Sequence, residues 1–303
     1  MLVLGRSVVV PGAAGTKFDH GAHDEVSGLL FVAHTSRNAL QVIDPHKAKH
    51  VATLPGFAEA AGVVAREGKV LVTCRGASAL KVADAQTLAV EGSYATAPRP
   101  NGVAFAPNSE SAVVACLGED GRGGAVLQLV GLTAGEVTEL HLPGRPRWCV
   151  VASDGMRVFC AVQDPPLVFV ASLRPFEEVA RWRLPAIGPH GVDVDANGLL
   201  FVACDGGELV ALSLGSGAIA WAQKLPGVPD ATFFNPATQQ VHVAIGDPGV
   251  ITTVAVADGE VASVSFQPTE FGAKTMALVA PDRLFVFLPE TGIALELVEE
   301  GPY

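Results

Sequence analysis

An all-β fold, a seven-bladed propeller of four-stranded blades, is what this sequence predicts, and three observations predict it. A strand-turn-strand element recurs seven times at spacings of 40 to 45 residues. The 33 glycines and 21 prolines fit a chain that turns back on itself many times. Few stretches could sustain even a three-turn helix, whereas short apolar runs bounded by turn residues are everywhere.

The clearest copy runs from Pro189 to Gly207: a short apolar strand, a turn with Asn197-Gly198 at its tip, a strand of bulky residues, and a Gly-rich turn. Its second strand, Gly198-Leu-Leu-Phe-Val-Ala-Cys204, aligns with the segments opening at Gly28, Gly68, Glu110, Gly155, Gln239 and Asp282. A period near 40 with several strands per unit is the signature of a propeller blade, which cannot bury both faces alone and must stack on its neighbours.

Each copy continues into a third strand, as at Leu40-Gln-Val-Ile-Asp44 and Leu209-Val-Ala-Leu-Ser213. A fourth follows in the first six copies, and Trp182 and Trp221 fall on such strands, where they fill space between blades at the perimeter. The seventh copy ends after three strands. Arg6 to Val10, ahead of the first copy, supplies the missing outer strand, so that the two termini share one blade and leave no open edge. The expected organisation is a single domain over residues 1–303. The longest irregular piece, residues 118–124, reads as a hairpin loop, since its acids lack EF-hand spacing.

Composition narrows the function. An apolar fraction of 49% supports a large core and excludes disorder as the main state. A net charge of −11 repels phosphate backbones and anionic membranes, so neither nucleic acid nor a membrane is an expected partner. No run reaches the 18 or so apolar residues of a membrane span. The apolar start of the chain is broken by Gly5 and Arg6 and reads as a strand, without an export signal. The five cysteines, Cys74, Cys116, Cys149, Cys160 and Cys204, form no CxxC pair and read as small buried hydrophobes in a reducing compartment, which together places the chain in the cytoplasm.

Residues 18–34 and 39–45, Phe18-Asp-His-Gly-Ala-His through Phe-Val-Ala-His34 and Ala39-Leu-Gln-Val-Ile-Asp-Pro45, resemble the YVTN-type seven-bladed propeller proteins. The resemblance covers the whole chain and implies the fold. It implies no one activity, because that family includes binding and surface proteins, and this chain departs from it in lacking an evident export signal.

Chemistry is expected where the blades converge. The residue that opens the first strand of each blade looks into the mouth of the central channel, and one register picks out His20, Ala61, Asn101, Arg147, His190, Asp230 and Lys274. All but Ala61 are polar or ionisable. With one acid against Arg147 and Lys274, the ring is locally positive inside an acidic molecule, which suits a small anion held by the Arg147 fork and the Lys274 point charge. Asn101 and Trp148 are expected to contact the same ligand.

Two schemes follow for hydrolysis of an ester, lactone or phosphoester. In one, His20, His190 and Asp230 hold a divalent metal that activates water. In the other, no metal is used: His190 is a general base oriented by Asp230, and Lys274 or His20 is the acid. No G-x-S-x-G elbow, Walker loop or dinucleotide fingerprint occurs, so no nucleotide or flavin cofactor is expected. The competing reading is a non-catalytic scaffold whose loops bind a protein partner. His23, His34, His46 and His50 read as turn, strand or solvated histidines.

Overall fold

The computed structural model describes residues 1–107, 109–119 and 124–299, so residues 120–123 of the expected 118–124 hairpin loop lie outside the described residues. Among the described residues the chain forms seven four-stranded antiparallel sheets. The only helical turns among them are two single 3-10 turns, Thr35–Arg37 and Arg75–Ala77. The first strands of successive blades touch one another around a closed circle: Gly21–Asp24, Ala60–Arg66, Pro100–Phe105, Pro146–Val151, Pro189–Val194, Pro229–Asn235 and Thr275–Val279. These seven strands form the wall of the axial channel.

Burial follows from the stacking. In blade 1 the second strand, Leu29–His34, is buried along nearly its whole length because a neighbouring blade covers each face. The fourth strand, Lys49–Pro55, alternates exposed and half-buried residues, as an outer edge should. Trp221, on the fourth strand of blade 5, is buried against Phe201 and donates its indole N–H to Gly259 of blade 6 at 2.8 Å. Trp182 lies against Phe159 in blade 4. The perimeter tryptophans therefore fill the seams between blades.

The termini share blade 7 as expected, with different bounds. The outer strand is Leu2–Val9, paired antiparallel with Ile293–Glu299. Gly5-Arg6 does not end this strand: the register shifts between Leu4 and Ser7, and pairing resumes on both sides of the bulge. At the bulge the Arg6 guanidinium makes a two-pronged contact with Glu296, Nε to Oε2 at 2.8 Å and Nη2 to Oε1 at 2.9 Å. It also donates to the carbonyls of Pro45 and His46 in blade 1. One side chain thus ties the outer strand to its own blade and to the next.

Blade 4 departs from the repeat alignment: its second strand is Arg157–Val162, one residue later than Gly155 implies. The hairpin between residues 151 and 157 is one residue longer than its blade 5 counterpart between 194 and 199. Arg147 remains the second residue of its first strand, equivalent to His190 in blade 5.

All five cysteines are free and buried. Burial pushes the thiols of Cys74, Cys116 and Cys204 up to about 11, 12 and 12, so they are inert hydrophobes at neutral pH. No helix among the described residues is long and apolar enough to cross a membrane.

Candidate functional site at the axial mouth

In blades 2 to 6 the first strand carries a β-bulge at the same place. The register shifts between Ala60 and Val63, Pro100 and Val103, Pro146 and Cys149, Pro189 and Val192, and Pro229 and Thr232. The second residue of each strand, inside the bulge, is released from regular pairing and re-aimed. Those residues are Ala61, Asn101, Arg147, His190 and Asp230. In blades 1 and 7 the equivalent positions, His20 and Lys274, lie one residue ahead of the strand. A side chain after the ring position would obstruct this packing: a Cβ at Gly191 would meet the carbonyl oxygen of Asp230 at 2.4 Å, and one at Gly62 that of Asn101 at 2.3 Å.

The result is one cavity of about 170 Å³ at the axis. His20, Asn101, Arg147, Trp148, His190, Asp230 and Lys274 all line it. Ala61, the apolar member of the expected ring, is buried and does not. Sequence reasoning missed Asp19, Arg75, Arg99 and Arg145, which complete the polar wall. With both histidines neutral, the five cations and two carboxylates of the lining give a formal charge of +3, in a chain carrying −11.

The missed residues follow a rule of their own. Arg75 directly follows the second strand of blade 2, as Asp205 follows that of blade 5. In four blades the backbone N–H at this position donates to the carbonyl two residues before the ring position: Arg75 to Glu59, Leu117 to Arg99, Gln163 to Arg145 and Asp205 to Gly188. A second tier of side chains therefore stands above the first. Its signal in the sequence is a pair of columns, one residue beyond Cys74 and Cys204 for Arg75 and Asp205, and two residues before the ring position for Arg99 and Arg145.

The cavity has two unlike sides. Blades 2 to 4 supply Arg75, Arg99, Arg145 and Arg147. Arg75 reaches Asp19 at 2.9 Å and the Asn101 side-chain oxygen. The Nε atoms of Arg75 and Arg147 are buried without a partner, and the Arg99 and Arg145 guanidiniums form no ion pair, among the described residues. Burial, and then the charges of Arg147, Arg99 and Arg75, lower the pKa of Arg145 against the opposing charge of Asp205, the mark of crowded cations.

Blades 5 to 7 supply a carboxylate-imidazole-ammonium chain. Asp205 Oδ1 lies 2.8 Å from His190 Nδ1, and Gln163 donates to the other oxygen at 2.6 Å. Burial opposes ionisation of Asp205, but the hydrogen bond and charge of His190 outweigh it and lower the carboxyl pKa. Arg147 Nη2 also stands 3.0 Å from Nδ1. One nitrogen cannot donate to Asp205 and accept from Arg147 together; the shorter contact to an acceptor-only carboxylate puts the proton on Nδ1. His190 Nε2 then faces Asp230 Oδ1 at 3.4 Å, and Asp230 Oδ2 faces Lys274 Nζ at 3.1 Å. The carboxylate that orients the imidazole is thus Asp205, where the sequence suggested Asp230.

His20 faces elsewhere. Its Nδ1 meets Asp19 Oδ1 at 2.7 Å, and its ring lies on the Trp148 indole with centroids 3.8 Å apart and planes 7° from parallel. Burial disfavours a charged Asp19, but the His20 hydrogen bond and the Arg75 charge hold its carboxyl well below the usual range. Blades 1 and 4 thus meet across the axis and pinch the channel. Among the described residues no group of three His, Cys, Asp or Glu side chains stands where it could hold a metal ion. His190 and Asp230 are adjacent, while His20 is engaged in the stack.

His34 lies away from the axis, buried between Thr16 and the Gln41 side chain at 2.8 Å each. Burial lowers its pKa to about 4, so it is a neutral structural histidine.

No family model matches the chain, and no curated protein matches it. Solved structures do. The virginiamycin B lyase of Staphylococcus aureus superposes with a TM-score of 0.79 at 13% identity, over 99% of this chain and 100% of that one. Hydrazine synthase of Kuenenia stuttgartiensis superposes with a TM-score of 0.82 at 11% identity, over 96% and 97%. At such identities the likeness is one of fold.

Proposed function

We propose that the axial mouth binds a small, multiply anionic molecule and that His190 performs acid-base chemistry on it, with hydrolysis of an ester, lactone or phosphoester as the reaction. The observation that carries this reading is the arginine group: four guanidiniums from blades 2 to 4 stand around one small cavity, only Arg75 forms an ion pair among the described residues, and Arg75 and Arg147 have buried unpartnered Nε atoms. Guanidinium forks match carboxylate and phosphoryl oxygens in pairs. At about 170 Å³ the cavity is smaller than the roughly 300 Å³ at which drug-sized pockets begin, so the ligand is small.

The arginines hold the anionic end and present the rest of the molecule to blades 5 to 7. His190 takes a proton from water at Nε2 as the water oxygen attacks the carbonyl carbon or phosphorus. Asp205 stabilises the imidazolium that forms, and Arg147 and Lys274 face the developing oxyanion. The imidazolium then returns the proton to the leaving alkoxide. The metal-free scheme is preferred because only two of the three proposed ligands, His190 and Asp230, stand together. The YVTN-type resemblance supports the fold and names no ligand.

Calorimetric titration with inorganic phosphate tests the binding half. Wild type should bind saturably. Arg145→Ala and Arg147→Ala should each weaken binding about ten- to a hundredfold, the worth of one charged hydrogen-bonding group, with little change in Tm. Equal affinity in wild type and both variants would refute the proposed anion site.

A further inference from the structure

The axial channel has a second chamber. Trp148 lines both the cavity described above and another of about 340 Å³ on the far side, so its indole, stacked on His20, is the partition between them. Three residues beyond the ring position, the five bulged strands turn Val64, Ala104, Val150, Asp193 and Phe233 into this second chamber. Its wall is mixed: Phe105, Trp148 and Phe233 stand beside the polar side chains of His23, Arg66, Thr232 and Asp193, and Asp193 is its only carboxylate. A chamber of this size that sets aromatic side chains beside a few polar groups has the form of a small-molecule site.

Its carboxylate has acceptor capacity to spare. Asp193 accepts one backbone N–H on each oxygen, from Val194 at 2.8 Å and Phe234 at 2.7 Å, and forms no ion pair among the described residues. A carboxylate offers about four lone-pair sites, so half its capacity is free. Burial pushes its pKa up to about 6, which leaves it ionised at neutral pH. His23 Nε2 is buried without a partner. The one cation, Arg66, ends its strand at the outer mouth, where it lies over the Phe105 ring and donates to the Ala106 carbonyl.

We propose that this chamber is a second binding site, taking a small apolar primary amine in its protonated form, with the ammonium at Asp193 and the apolar body against Phe105, Trp148 and Phe233. A carboxylate supplies the charge, and aromatic faces favour a cation beside them.

The test is titration of wild type at pH 7.5 with three isosteric probes: 2-phenylethylamine, 2-phenylethanol and phenylacetate. The amine should bind at least tenfold tighter than the alcohol, and phenylacetate least. Asp193→Asn should erase the preference, and Val64→Trp, which fills the chamber, should abolish amine binding. Phosphate affinity at the upper cavity should be unchanged in Asp193→Asn, so the two sites are read independently. Equal or tighter binding of the alcohol or of phenylacetate would overturn the proposal, and the latter would give the role to Arg66. So would no saturable binding of the amine, or amine binding that survives in Val64→Trp; these outcomes stand even if Asp193→Asn does not fold.

Discussion

His190 and Asp205 are fifteen positions apart and belong together: the imidazole is on the second residue of the first strand of blade 5 and the carboxylate follows the second strand. If Asp205 fixes the tautomer, its loss should damage turnover more than binding. Once a turnover substrate is in hand, His190→Ala should lower kcat by about 10² to 10⁴, and Asp205→Asn should lower kcat substantially while leaving KM within a few-fold. A rise in KM with kcat intact would assign Asp205 to binding alone. His34 makes a different prediction. Its folded pKa, about 4, is below the unfolded 6.5, so the unfolded chain takes up a proton that the fold refuses as pH falls through this window. Stability present above pH 6.5 is therefore lost on acidification, by about 2 kcal/mol between pH 6.5 and 5. His23 and His50 shift in the same direction, and Asp193, raised to about 6, works in the opposite one. Denaturant unfolding of His34→Gln against wild type at both pH values isolates the share of His34; parallel losses would show that its burial contributes none.

Among the elements, the Leu2–Val9 strand carries the closure of the ring. Arg6 holds Glu296 near pKa 2, chiefly through their hydrogen bond, below the usual 4.5. Such a carboxylate contributes stability that is present above pH 4.5 and lost as pH falls toward 2. Glu296→Ala should cost about 2 kcal/mol, a figure kept modest because Arg6 is half exposed to solvent. Deleting residues 1–10 should cost far more, since it strips the outer strand from blade 7 and uncovers the Ile293–Glu299 edge. A melting curve unchanged by the truncation would contradict this account of closure. Glu299, buried on the same strand, accepts from His242 at 2.9 Å and Asn235 at 2.7 Å, and so joins blade 7 to blade 6 from the other side.

At the scale of the whole molecule, the ring explains what the sequence made legible. Seven copies of one strand pattern leave few alternatives to a propeller, and the equivalence of their opening residues brought Asn101, Arg147, His190, Asp230 and Lys274 to one cavity without coordinates. Arg75, Arg99, Arg145 and Asp205 were illegible for a physical reason: they stand on turns above the strands, outside the strand register that places the ring. The His20 and Trp148 stack was equally hidden, because contact between blades 1 and 4 depends on the width of the channel, which no repeat encodes. That width also makes one channel into two chambers. The central claim is that an acidic molecule gathers its arginines at the axis to hold an anion. Crystals soaked in tungstate, a heavy phosphate analogue, test it most directly by anomalous scattering. The account predicts the strongest peak inside the upper cavity, within hydrogen-bonding reach of Arg145 and Arg147; peaks confined to the outer surface, with that cavity empty, would contradict it.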